Sequence, residues 1–284
     1  SRDLLGFGAD SRGIPDAVLQ VAGNQPLFEY SYLDGSGFQP GVLKQFARSF
    51  ANVWSATSER AIPNASYSAS YGDEFGFLGH RLGLLQSWSY ARSFDYQRSA
   101  ARYFDGLRDT LYDYRSDRWN ENVQLGGVSA VSYRISPGHT LHVRGLYTNN
   151  ADDEVRVYEG PDHNRPYGVN QYISHRATRL LYVERSIASG SVEGSHELPG
   201  LFHSKFNWAV SRSEARRQQP DRRETIYDRR PTNGANWTIG SPGVREYGDL
   251  KDSGHGVTVS QAIPLSFRSW GSGKFVAGFD SQVK

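Results

Sequence analysis

The sequence contains no cysteine and no methionine. Without cysteine there are no disulfides, thiolate metal sites or cysteine nucleophiles, a usage that fits export into an oxidising space. The lack of methionine even at position 1 predicts a processed or truncated piece, and no signal-peptide pattern is visible. No apolar run approaches the roughly 20 residues of a membrane helix, which excludes a helical span. A membrane β-barrel stays open, because its strands carry a much weaker hydropathy signal. Neither sign of charge is in excess: 32 Lys and Arg against 30 Asp and Glu give no electrostatic case for nucleic acid. Aliphatic residues are sparse too, the hydrophobic fraction being 37% of 284 residues, thin for a two-sided core.

What the chain does have is aromatics and glycine: 17 Tyr, 14 Phe, 6 Trp and 30 Gly. That mixture suits a sheet with one apolar face. The stretch "VSYRISPGHTLHVRGLY" (131–147) has the pattern in miniature. Val131, Tyr133 and Ile135 alternate with Ser132, Arg134 and Ser136. Beyond a Pro137-Gly138 turn, Leu141, Val143 and Tyr147 oppose Thr140, His142 and Arg144. Period-two alternation around Pro-Gly predicts a β-hairpin with one greasy and one charged face.

Residues 1–63 read differently. Gly and Pro punctuate a loop-like segment, with a short helix predicted after Pro15. Leu43, Phe46, Phe50 and Val53 fall at helical spacing, predicting an amphipathic helix over about 41–54. From Asn64 onward strand follows strand: 64–75, 82–96, the hairpin above with its return through "TNNADDEVRVYEG", about 172–197, the segment after "LPG", and two more to Lys284. About eight strands are predicted, in one antiparallel meander with no crossover helix to make parallel pairs. Short links at 76–81, 136–139, 198–200 and 267–272 alternate with long polar segments at 97–121, 159–171 and 230–254, which read as loops.

Short turns at one end and long loops at the other are the asymmetry of an outer-membrane up-and-down barrel. Such a wall needs an apolar band only about 25 Å tall, or roughly 9–11 residues of tilted strand. The opposite face then borders water and can carry Arg134, His142, Arg144, His203 and Lys205 without desolvation. The rival from another class is a secreted β-rich carbohydrate-binding protein. There Leu84, Trp88, Val131, Phe206 and Trp208 would be buried under a second sheet.

The segments "RDLLGFGADSRGIP", "AIPNASYSASYGDEF", "LGLLQSWSYARSFDY", "SYRISPGHTLHVRGLYTNNADDEVRVYEG" and "SVEGSHELPGL", in this order and spacing, resemble the barrel of TonB-dependent outer-membrane receptors. The likeness is to the group with an N-terminal carboxypeptidase-regulatory-like domain, and it runs through nearly the whole chain. The resemblance implies an all-β fold, a partial antiparallel membrane barrel over 64–284, and an extracellular loop segment with a short helix over 1–63. It implies energised uptake of a scarce nutrient, such as a siderophore or oligosaccharide, across the outer membrane of a Gram-negative bacterium. Its partners would be outer-membrane lipid, the ligand, and TonB through an N-terminal region outside this chain. The departures are large: no plug, no TonB box, and about a third of a 22-stranded barrel. A plug-less porin is the membrane alternative.

Chemistry-bearing motifs are few. "NNADDEVR" groups Asp152, Asp153 and Glu154, but without the D-x-[DN]-x-[DN]-G order of a calcium loop it reads as a solvated acidic face. The histidines form no H-E-x-x-H, and no G-x-S-x-G or phosphate-binding glycine loop occurs. No catalytic, metal or cofactor site is therefore predicted, and the chain is not read as an enzyme. The arginines of "ARRQQPDRRETIYDRR" are interleaved with Asp221, Glu224 and Asp228, as on a solvated edge. The candidate ligand contacts are Tyr112, Tyr114 and Trp119, which could stack on a sugar or aromatic chelator, with Arg115 as a charge partner. Trp237 adds a further stacking surface in the last long segment. The competing reading is that these rings pack one loop against its neighbours.

Overall fold

Alternation forms strands along most of the chain, and consecutive strands fold back on one another as hairpins. The computed structural model describes residues 2–23, 27–104, 110–168, 171–234, 236–267 and 271–284. Strands β1 (Ala65–Phe77), β2 (His80–Phe104), β3 (Thr110–Ser136), β4 (His139–Gly168), β5 (Gln171–Leu198), β6 (Ser204–Arg229), β7 (Thr238–Phe267) and β8 (Gly271–Val283) follow a short helical segment. They form one eight-stranded sheet in sequential order, antiparallel at every step, with β1 and β8 as its edges. The fold is all-β and up-and-down, as the sequence pattern predicts. The Pro137-Gly138 turn closes β3 onto β4 with Gly138 at φ 85°, a value that a Cβ makes costly.

The register gives the sheet one mainly apolar and one mainly polar face, with exceptions on each: Leu85, Val128 and Leu146 lie among the polar residues, and Asp73 and Arg212 among the apolar ones. Paired residues share a face, so one face collects Tyr71, Phe75, Leu84, Trp88, Val131, Tyr133, Val143, Val192, Trp208, Val210, Val257, Ile263, Phe275 and Phe279. The other collects Ser68, Ser87, Arg134, His142, Arg144, Ser191, Lys205, Ser211 and Thr258. Both sets lie within about ten residues of the tight turns. The apolar set is not covered by a second sheet among the described residues. Trp88 is 55% exposed, and Leu84, Val131, Phe206 and Trp208 are half-buried.

Strand length departs from expectation. The polar segments 97–121, 159–171 and 230–254 are mainly strand, not loop. β4 and β7 each run 30 residues, about 100 Å along the strand. Ion pairs across neighbouring strands replace hydrophobic alternation there, on both faces at once. Asp95 meets Arg118 at 3.0 Å on the polar face, while Arg98 meets Asp117 at 2.7 Å on the apolar one. Opposite charges on facing residues stabilise a sheet where no core does. Between β6 and β7 the described residues of 230–237 lie outside the strands. Residues 105–109, 169–170 and 235, and residues 268–270 of the short link expected at 267–272, lie outside the described residues.

The N-terminal segment carries two helices. α1 spans Asp16–Ala22, after Pro15 as predicted. α2 spans Pro40–Ser49 and stops short of the predicted end, because Phe50 is extended at φ −77°, ψ 144°. Phe50 and Trp54 leave the helix for the sheet, where Tyr247 and the Arg245 guanidinium hold their rings. The helices share a small core of Val18, Ala22 and Phe46, flanked by Phe38, Val42 and Leu43.

Part of the segment packs against the sheet. Residues 4–12 lie on the sheet itself, on its apolar face, farther from the turns than the apolar belt. Backbone groups anchor them. Tyr90 donates to the Leu4 carbonyl at 2.8 Å, Asn149 to the Gly6 carbonyl at 2.6 Å, and Gly8 N–H donates to Tyr182 at 2.9 Å. Ala9, Ala151 and Tyr182 close a second small core beneath them.

Candidate functional site

The densest polar constellation lies on the polar face, toward the ends of β2–β6 remote from the tight turns. Two residues apart on β3, Tyr112 and Tyr114 project from the same face and stack, with centroids 5.4 Å apart and planes 21° apart. Tyr103 sits opposite Tyr112 on β2, with 6.1 Å between rings, and Tyr158 on β4 lies 6.0 Å from Tyr114. Four phenols from three strands therefore form one patch.

Beside them, Tyr158 donates to Glu224 Oε1 at 2.6 Å. Arg179 and Arg222 donate to the other oxygen at 2.9 and 2.7 Å. Burial, reinforced by the Glu224 hydrogen bond, pushes the Tyr158 hydroxyl up to about 12. Burial followed by the charge of Asp162 pushes Tyr114 up as well. Burial alone would raise Glu224, but the bonds from Tyr158 and Arg179 hold it below its ordinary value. At neutral pH these tyrosines are hydroxyl donors and Glu224 is a carboxylate.

A second cluster caps the patch. His175 on β5 lies between two carboxylates, Nε2 3.0 Å from Asp162 Oδ2 and Nδ1 2.5 Å from Asp228 Oδ1. Arg165 donates to Asp228 Oδ2 at 2.9 Å. Both aspartates are buried, at 6% exposure. The cluster ties β4, β5 and β6 together where their hydrophobic pairing has ended. The whole arrangement offers ring faces, hydroxyl donors and fixed charges to a polar ligand on a rigid wall.

Of the residues predicted from sequence, Tyr112 and Tyr114 are brought together. Arg115 and Trp119 are not with them: an odd offset along β3 turns both to the apolar face. There Trp119 packs on Tyr96 at 5.4 Å and Arg115 lies opposite Glu159. Trp237 precedes β7, with the Arg229 guanidinium 4.8 Å from its ring. Asp152 and Asp153 likewise part company. Asp152 pairs with Arg185 on the polar face at 2.6 Å, and Asp153 with Arg12 on the other at 3.2 Å. The arginines of 215–230 mostly have partners, such as Asp249 for Arg216 and Glu246 for Arg222.

Sequence reasoning missed Tyr103, Tyr158, Asp162, His175 and Asp228. Each is unremarkable along its own strand, and only cross-strand register brings them together. Comparison with protein-family models gives no match for this chain, and comparison with curated proteins gives none either.

Proposed function

We propose that the chain is a wall segment of a TonB-dependent outer-membrane receptor that takes up a nutrient, small molecule or glycan, from outside the cell. One observation carries this reading: eight sequential antiparallel strands gather most of their aromatic and large apolar residues on one face, within about ten residues of the tight turns. That is the height of a bilayer's apolar core, and the exposed Trp88 and its neighbours then face lipid. The polar face with Arg134, Arg144 and Lys205 lines the lumen. Two open edges continue into further strands, since unpaired backbone groups have no partner in hydrocarbon. The strand halves beyond the belt project outside, and their tyrosine patch meets the ligand. Coupling to TonB runs through an N-terminal region outside this chain.

The test is fractionation and uptake with the full-length protein in a Gram-negative host. The protein should partition with the outer membrane and change electrophoretic mobility on heating, as closed barrels do. Uptake should stop with an uncoupler of the inner membrane. Recovery in the soluble periplasmic fraction would reject the barrel. Uptake indifferent to the uncoupler would leave the plug-less porin instead.

A further inference from the structure

The segment that lies on the sheet has a feature its docking does not use. The 3-10 turn at Arg2–Leu5 holds Leu4 and Leu5 at 47% and 50% exposure, and the hydrogen bonds that fix it to the sheet reach the Leu4 and Gly6 carbonyls. These two leucines stand on the apolar face of the sheet, the face of Trp88, Val143 and Trp208. Their height above the turns can be counted. Tyr90, which binds the Leu4 carbonyl, lies eleven residues beyond Gly79, and Asn149, which binds Gly6, lies eleven beyond Gly138. At about 3.3 Å per residue and about 40° of tilt, eleven residues rise roughly 28 Å, just past an apolar band of about 25 Å. The next anchors, Tyr182 and Glu184, lie farther from the turns, so the segment climbs away from this point. Leu4 and Gly6 share the lowest of these anchors, with Leu5 between them.

We propose that the turn Arg2–Leu5 is an interfacial foot, resting its two leucines on the headgroup–acyl boundary of the outer leaflet. This rests on the barrel reading above. The chemistry is that of an interfacial element: apolar side chains continue the lipid-facing belt by one step, beside the hydroxyls of Tyr67 and Tyr90 at the belt's rim. The docked backbone fixes the foot to the wall. Lipid contact thereby favours the arrangement in which residues 4–12 cover β3–β5, and the segment is oriented before any ligand arrives.

The chain has no cysteine, so depth can be read with single labels on the full-length protein once any cysteine outside these 284 residues is replaced by serine. Leu4→Cys, Leu5→Cys and, as reference, Val143→Cys would carry a fluorophore in vesicles of phosphatidylcholine and phosphatidylglycerol. The lipids would bear a nitroxide either at the headgroup or near the acyl terminus. Five residues beyond Gly138, Val143 should lose emission to the deep nitroxide. The labels at 4 and 5 should lose emission to the headgroup nitroxide and keep it against the deep one. Either leucine position alone suffices if the other variant fails to assemble. Deep quenching at 143 with none at 4 or 5 would overturn the foot and leave the barrel standing. Deep quenching at 4 and 5 would overturn the interfacial placement. No quenching at 143 would remove the barrel reading, and the foot with it.

Discussion

Trp208 lies over the bare backbone of Gly194, its partner across β5 and β6, and a Cβ at Gly194 would collide with the indole Nε1. From there the indole donates to His196 Nε2 at 3.0 Å, and His196 Nδ1 lies 3.1 Å from Nδ1 of His139. An indole N–H only donates, so His196 accepts at Nε2 and carries its proton at Nδ1. It therefore donates to His139, and one glycine sets the order of the whole row. Gly194→Ala should expel the indole and cost about 1–3 kcal/mol as overpacking does. The measurement is a lower urea midpoint with altered tryptophan emission. Gly190→Ala is the control, since its nearest neighbour, the Arg144 carbonyl oxygen, lies at an ordinary 3.7 Å.

The Tyr158–Glu224 pair sets a pH window. Glu224 is held below its ordinary 4.5 in the fold, so its contribution is complete above that value and is lost as pH falls through the folded one. Tyr158 is raised from 10.0 to about 12, so its contribution is complete below pH 10 and is lost as pH rises toward 12. Glu224→Gln should cost about 1.5–3 kcal/mol at neutral pH, the worth of charge-assisted hydrogen bonds. The difference from the unaltered protein should shrink as acid protonates Glu224. Unfolding midpoints across pH 3–8 measure it; a constant difference would place the effect in packing.

The belt is legible in the sequence because one strand suffices to read it. Leu82, Leu84, Trp88 and Tyr90 alternate with Gly83, Ser87 and Ser89 whatever lies beside them, though Leu85 breaks the pattern. The outer strand halves are not legible that way. Arg98 and Asp117 are far apart in sequence and meet only through register, as do Asp95 and Arg118. With polar residues on both faces, alternation vanishes and the segments look like loops. The same cause scattered the candidate site. Tyr112 and Tyr114 are two apart and share a face, whereas Arg115 and Trp119 sit at odd offsets and turn away. Tyr158 and His175 carry no local signal at all.

If the apolar face meets lipid, neighbouring positions on one strand must respond oppositely to the same charge. Val143 and His142 are adjacent on β4 and project to opposite faces. Val143→Arg places a guanidinium near mid-bilayer and should cost about 2–4 kcal/mol. His142→Arg adds a charge to a face already bearing Arg134 and Arg144, and should be nearly neutral. Folding yield into vesicles, read by heat-modifiable mobility, compares the two. Equal yields would mean that the belt does not face lipid.

The tyrosine patch gives the sharpest functional contrast, because the structure separates rings that the sequence groups. Tyr112 and Tyr158 belong to one wall with Glu224 and Arg179, while Trp119 stacks with Tyr96 on the other face. Sugar or aromatic chelator, a ligand entering a lumen lined by the polar face would meet only the first set. If the full-length protein is the receptor proposed above, Tyr112→Ala and Tyr158→Phe should each raise the concentration needed for half-maximal uptake. Tyr158→Phe keeps the ring and removes only the hydroxyl donated to Glu224, so it separates hydrogen bonding from stacking. A hydrogen bond lost to a ligand is worth about 0.5–1.5 kcal/mol, or roughly 2–12-fold, and Tyr158→Phe acts through the placement of the Glu224 carboxylate that its hydroxyl holds. Trp119→Ala should leave uptake unchanged, since its ring lies outside the lumen. A larger loss at Trp119 than at Tyr112 would reverse the assignment of the two faces, and with it the side from which the ligand enters.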